Sequence, residues 1–163
     1  MHTQIRRMQA CDRTQILEMM RVFYASPYVS TDGSETIFET DIDQCLGGSP
    51  YLEGFVFEDA NGLCGYAMIA KSFSTEFGKP CIWIEDLYIR EPFCGKGLGS
   101  RFLQFVTERF PDALLRLEVE KENERAVYVY QKHGFDFLPY LEMKKECRPI
   151  GVEQPGCPAH LGD

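Results

Sequence analysis

The sequence predicts a mixed α/β domain, with a central mixed sheet of about six to seven strands flanked by about four helices. Three observations carry that expectation. Apolar side chains recur at helical spacing in separate stretches, and apolar runs of strand length lie between them. After an antiparallel start, the two kinds of segment interleave as strand, helix, strand, helix and strand. The chain has 163 residues, 44% of them apolar, enough to bury one ordinary core. Residues 1–146 are therefore expected to form a single domain and residues 147–163 an irregular tail.

Taken in order, Ile5 to Met8 is a short strand, and Asp12 caps a helix reaching Tyr24 through Ile16, Leu17, Met20 and Phe23. Ser26 to Ser34, holding Pro27 and Gly33, is a loop. Thr36 to Leu46 is a second, acidic helix, closed by the turn GGSP. Tyr51 to Glu58 and Leu63 to Ser72 are strands joined across DANG, a hairpin signal. Pro80 to Ile89 (PCIWIEDLYI) is a third long strand. Gly97 to Phe110 is a helix stopped by Pro111, with Leu98, Phe102, Phe105, Val106 and Phe110 on its apolar face, and Ala113 to Val119 is a strand. Glu124 to His133 is a short helix closed by Gly134, after which Phe135 to Lys145 returns as a strand. There is no internal repeat and no low-complexity segment.

Composition removes several classes of function. The net charge of −8 disfavours a nucleic-acid partner, which needs a basic face, and favours cationic ligands through steering. No apolar stretch is long enough to cross a bilayer, and Arg6, Arg7, Cys11 and Asp12 interrupt any signal-peptide core, so a cytoplasmic protein without a membrane partner is expected. Seven cysteines, at 11, 45, 64, 81, 94, 147 and 157, are widely spaced with no CxxC pair, and suggest neither a disulfide framework nor a metal site. Only His2, His133 and His160 could activate a cysteine nucleophile, and none has an evident partner, so a covalent thiol mechanism is disfavoured.

The stretch REPFCGKGLGSRF holds Gly95, Gly97 and Gly99 between a strand and the start of a helix. A helix N-terminus presents unpaired N–H groups and a positive dipole end, and glycines let an anion approach them. The spacing is not the dinucleotide fingerprint, which needs glycine where Ser100 stands, nor a Walker loop, which needs Lys then Ser/Thr after the last glycine. A glycine-rich turn without any ligand would have the same pattern.

The segment ENERAVYVYQKHGF supplies Asn123, Ala126, Tyr130, Gly134 and Phe135. Together with CGKGLGS it resembles the GNAT superfamily of N-acetyltransferases, whose signature is a Q/R-x-x-G-x-G/A loop after the fourth strand and N-x-x-A-x-x-x-Y-x-x-x-G-F after the fifth. Gly97 and Gly99 meet the first motif, and every position of the second is met; the Q/R position, however, is Cys94. The stretch FSTEFGKPCIWIEDLYI is similar to the corresponding region of the spermidine/spermine and thialysine acetyltransferases.

This resemblance implies acetyl-CoA as co-substrate and direct transfer of its acetyl group to a primary amine. The diphosphate would rest on the amides of Gly95, Lys96, Gly97, Leu98, Gly99 and Ser100, with Lys96 and Arg101 compensating for Cys94. The pantetheine arm would lie along Leu87, Tyr88 and Ile89, and Asn123 and Ala126 would border the cofactor. Tyr130 would protonate the leaving sulfur, while Tyr128 is expected to be structural. Glu85 would accept the amine proton through water. Strict strand alternation allows only one of Glu85 and Asp86 to face the cleft unless a bulge reorients them.

The acidic stretch STDGSETIFETDID, with Asp32, Glu35, Glu39, Asp41 and Asp43, is expected to greet a small cationic amine such as a polyamine, an amino acid or an aminoglycoside-like compound. A protein or peptide N-acetyltransferase, or a non-catalytic acetyl-CoA-binding module, is the alternative. By analogy with the family a homodimer is expected.

Overall fold

Three long antiparallel strands, buried on both faces over their central residues, build the centre of the molecule. In the computed structural model, residues 3–146 are described, except 30 and 32. The expected tail at 147–163 and Asp32 lie outside the described residues. The strands are β1 (Gln4–Arg7), β2 (Leu52–Asp59), β3 (Gly62–Ser74), β4 (Lys79–Ile89) and β5 (Leu114–Leu117). The helices are α1 (Arg13–Tyr24), α2 (Glu35–Leu46), α3 (Leu98–Arg109) and α4 (Glu124–Lys132). One sheet runs in the order β1-β2-β3-β4-β5, antiparallel except for the parallel pair β4 and β5.

Alternation sends successive side chains to opposite faces, so each face packs against its own helices. On one face Phe55, Phe57, Ala67, Ile69, Ile82 and Ile84 meet Leu98, Phe102, Leu103 and Val106 of α3. Phe102 is fully buried, its ring 5.9 Å from that of Phe55 and 5.6 Å from that of Phe57. On the other face Val56, Leu63, Tyr66 and Met68 meet Ile16, Met19 and Met20 of α1 and Phe38 and Ile42 of α2. Burying each such side chain contributes about 1.5–3 kcal/mol, which fixes both helix layers and hence the loops at their ends.

Two local expectations change. Asp12 does not cap α1 with its side chain; its Oδ2 accepts from the Gln9 N–H at 2.8 Å and from Arg6 Nη1 at 2.7 Å, closing a short 3-10 turn over Ala10–Asp12 instead. The four expected helices are present, but the described residues form five strands rather than six or seven, because Phe135 to Lys145 makes no ladder. A strand there needs a partner with free N–H and C=O groups. The neighbouring β5 is only four residues long, Pro139 cannot donate, and Leu141 and Met143 are each 94% exposed, so no buried face fixes a register.

Candidate active site

The strand that carries Glu85 and Asp86 does not keep strict alternation. Asp86 pairs with Met68 and Ile84 with Ile69, which leaves Glu85 as the extra residue of a β-bulge. Ile82 and Ile84 face α3, and so do Leu87 and Ile89, while Tyr88 packs with the α1 and α2 layer. The bulge thus absorbs one residue and places both Glu85 and Asp86 against the same cleft. Strict alternation, which would let only one of the two acids face the cleft, is broken by this bulge.

The two carboxyls are held differently. Asp86 is 4% exposed; its Oδ1 accepts from the Tyr24 hydroxyl at 3.1 Å and its Oδ2 from the Tyr66 hydroxyl at 2.8 Å. Burial pushes its carboxyl up to about 6, against the two tyrosine donors, with the charges of Asp41 and Glu85 adding to the rise. Glu85 opens to solvent at the cleft wall. Its carboxyl is also raised, first by desolvation and then by Asp41 and Glu142.

The raised titration of Asp86 makes a stability prediction. Its carboxyl moves from 3.8 in the free side chain to about 6 in the fold, so ionising it costs folding on the order of 3 kcal/mol. The cost is absent below the unfolded value and is present in full above the folded one. Asp86→Asn, which cannot ionise, should therefore gain stability relative to the wild type as pH rises from about 4 to about 7.5. Thermal melts across that range check it; parallel curves for the two proteins would contradict the buried ionisation.

The cleft has a volume of about 500 Å³ and lies between α1, α2, the β3–β4 pair and the end of β5. Five carboxylates line it: Asp41, Glu85, Asp86, Glu118 and Glu120. No lysine, arginine or histidine is among its described lining residues. Asp41 is raised by desolvation. Glu118 is pushed up to about 7, chiefly because its carboxyl shares a hydrogen bond with that of Glu142, with burial second.

Of the described residues of the acidic stretch singled out in the sequence, only Asp41 reaches the cleft. Glu35 is paired with Arg21 and Asp43 with Arg13 on the helix surface. Glu118 and Glu120 were missed as cleft residues. Their signal was the run LEVE, an alternation that carries two acids to one side of a strand end.

The cofactor side of the site begins where β4 and β5 part. The parallel ladder covers only Cys81 to Ile84 against Leu114 to Leu117. Beyond it Leu87, Tyr88 and Ile89 pair with β3 alone, leaving their other edge open among the described residues. Such an edge can accept an extended, amide-bearing arm as an added strand.

The chain then turns into α3 through Gly95 at φ +77 and Gly97 at φ +78, left-handed conformations that side-chain-bearing residues rarely adopt. The first helical bond is from the Arg101 N–H to the Gly97 carbonyl at 3.0 Å, and no side chain caps the helix. No N–H from Gly95 to Ser100 donates to another described residue. A Cβ built on Gly97 would meet nothing within 4 Å. Six consecutive free donors around an open hollow at a helix N-terminus fit a diphosphate.

The cations near this hollow differ in their engagement. Arg101 donates from Nη2 to the Thr3 carbonyl at 2.6 Å, and Lys96 sits over the Phe93 ring at 5.1 Å. Compensation by Arg101 for Cys94 is therefore limited by its bond to the start of β1. Cys94 itself is exposed, its Sγ 3.4 Å from the Ile89 carbonyl.

Opposite the loop, Asn123 accepts from the Ala126 N–H at 3.2 Å and so caps α4. This orients the helix that carries Tyr130. The Tyr130 ring packs against the α3 layer and 5.9 Å from the Phe135 ring, and its hydroxyl bonds no described residue. Burial raises its phenol, which keeps it protonated at neutral pH. Tyr128, by contrast, is 67% exposed, so it is not the core tyrosine expected.

The model of the acetyltransferase (GNAT) family matches residues 15–135. A thialysine N-epsilon-acetyltransferase of Bos taurus is 32% identical over 108 residues, covering 60% of this chain and 63% of that protein. A spermine/spermidine N(1)-acetyltransferase of Bacillus subtilis is 28% identical over 90 residues, covering 52% and 59%. The match thus spans about three-fifths of the length of these curated relatives. Among solved structures, a possible acetyltransferase from Clostridium difficile 630 superposes with a TM-score of 0.76 at 16% identity, over 89% of this chain and 97% of that one.

Proposed function

The chain belongs to the acetyltransferase (GNAT) family, and on that premise we propose that it transfers an acetyl group from acetyl-CoA directly to a primary amine of a small cationic acceptor. The observation that carries the acceptor class is the cleft itself, whose described lining has five carboxylates and no cationic side chain. An anionic, partly desolvated wall attracts ammonium groups and repels anionic or bulky neutral acceptors. The curated relatives named for polyamines and thialysine support the same class.

When bound, acetyl-CoA supplies an activated thioester acyl group. The free N–H groups of Gly95 to Ser100 hold its diphosphate, and the open edge at Leu87 to Ile89 aligns its arm toward the Glu85 bulge. An alkyl amine titrates near 10 and arrives protonated, so it needs a proton acceptor before its nitrogen can attack. Glu85 takes that proton through water, and its raised carboxyl makes it a better base than an ordinary glutamate. Asp86, locked by Tyr24 and Tyr66, keeps negative charge beside the incoming ammonium. The nitrogen bonds to the acetyl carbonyl carbon as the C–S bond breaks, Tyr130 gives its phenolic proton to the departing sulfur, and the second ammonium proton restores the phenol through solvent.

Thiol release from acetyl-CoA, measured over a panel of amines, tests the proposal. Acceptors carrying a second cationic nitrogen, such as spermidine, should outperform monoamines of equal length in kcat/KM by about tenfold or more, one ion pair in a partly desolvated site being worth about 1–2 kcal/mol. Coenzyme A binding without turnover on any amine would leave a binding module instead of an enzyme.

A further inference from the structure

At the first motif position, where family members carry Gln or Arg, this chain has a cysteine whose thiol is turned toward the carbonyls of Ile89 and Arg90, at 3.4 and 3.7 Å. That side chain directs its weak donor to the turn after β4 and brings no cationic or amide group to the glycine loop. Other cations of this corner are engaged: Arg90 faces Glu18 at 3.8 Å, Lys96 lies on the Phe93 ring, and Arg101 is bound to the Thr3 carbonyl.

One guanidinium remains. Arg125, in the first turn of α4, brings its Nη2 to the hollow, so close to Gly95 that a Cβ there would meet it at 3.2 Å. It makes no hydrogen bond, ion pair or ring contact with the described residues. Its side chain is exposed, reaching across from a different helix. The Asn123 cap, accepting from the Ala126 N–H, fixes the first turn of α4 and so the point from which Arg125 reaches.

We infer that Arg125 binds the 5′-diphosphate of coenzyme A, supplying from α4 the positive charge that Cys94 does not supply from the loop. The inference rests on the proposed acetyl-CoA reading. Arginine suits the position because its planar fork can donate two hydrogen bonds to phosphate oxygens while the loop amides take the others. Glycine at 95 suits its left-handed backbone, and the absence of a Cβ leaves the guanidinium room to approach.

Calorimetric titrations of coenzyme A and 3′-dephospho-coenzyme A into the wild type, Arg125→Gln and Arg125→Ala test it. Both variants should bind both ligands about 5–30-fold more weakly than the wild type, the worth of a partly exposed charged hydrogen bond. Their melting temperatures without ligand should match the wild type, since Arg125 supports no described contact. Unchanged affinity in the variants would overturn the inference. So would a loss that disappears with 3′-dephospho-coenzyme A, because Arg125 would then read the 3′-phosphate. Failure of the wild type to bind coenzyme A at all would instead remove the underlying reading of the site.

Discussion

Under the proposed mechanism, Glu85→Gln should lower kcat for the preferred amine about 10²–10³-fold, while the Kd for coenzyme A should change less than about twofold. Glutamine keeps the size of the side chain and its place in the bulge, so the loss isolates proton acceptance from packing. General-base removal reaches about 10⁴-fold where nothing replaces it, but here Asp86 lies beside the missing group. The pH profile adds a second readout. Desolvation and the charges of Asp41 and Glu142 raise the Glu85 carboxyl above its ordinary 4.5. The rising limb of kcat/KM in the wild type should therefore lie above that value, and it reports the coupled Glu85 and Asp86 pair. In Glu85→Gln the limb should move to the position set by Asp86 alone, below the value of about 6 that its carboxyl has beside the Glu85 charge. Unchanged turnover and an unchanged profile would transfer the role of base to another group.

Tyr130→Phe comes next, with an expected fall in kcat of about 10²-fold and little change in KM for the amine. The substitution is clean for a structural reason. The ring keeps its packing against the α3 layer and Phe135, and the lost hydroxyl leaves no described partner unsatisfied. Only the proton proposed for the sulfur is removed. Because burial keeps the phenol protonated through neutral pH, the wild type should show no falling limb from this residue below about pH 10. A thioester whose thiol is more acidic needs that proton less, and should recover part of the loss in the variant. Steady-state rates with two such donors measure this; equal losses with both would assign Tyr130 a positioning role.

Much of this arrangement was legible in the sequence because it obeys local rules. DANG became a two-residue connection between Asp59 and Gly62, and CGKGLGS became the left-handed entry to α3. Asn123 capped a helix with Tyr130 on it. What escaped is set by non-local pairing. The bulge at Glu85 depends on how β4 meets β3, which no alternation pattern within β4 can reveal. The expected strand after Phe135 does not form because the β5 edge is only four residues long and its apolar residues find no buried face, despite their alternation. Arg125 lies about thirty residues from the loop it reaches, so its approach to Gly95 follows only once α4 is docked beside α3. The carboxylate cleft likewise draws Asp41, Glu85 and Glu118 from three separate elements.

The decisive measurement is a crystal structure of the protein with coenzyme A and a polyamine bound together. The account predicts the diphosphate on the amides of Gly95 to Ser100, the sulfur beside Tyr130, and an amine nitrogen in the carboxylate cleft within water-bridging distance of Glu85. A diphosphate bound away from that helix terminus, or an amine bound outside the cleft, would contradict it.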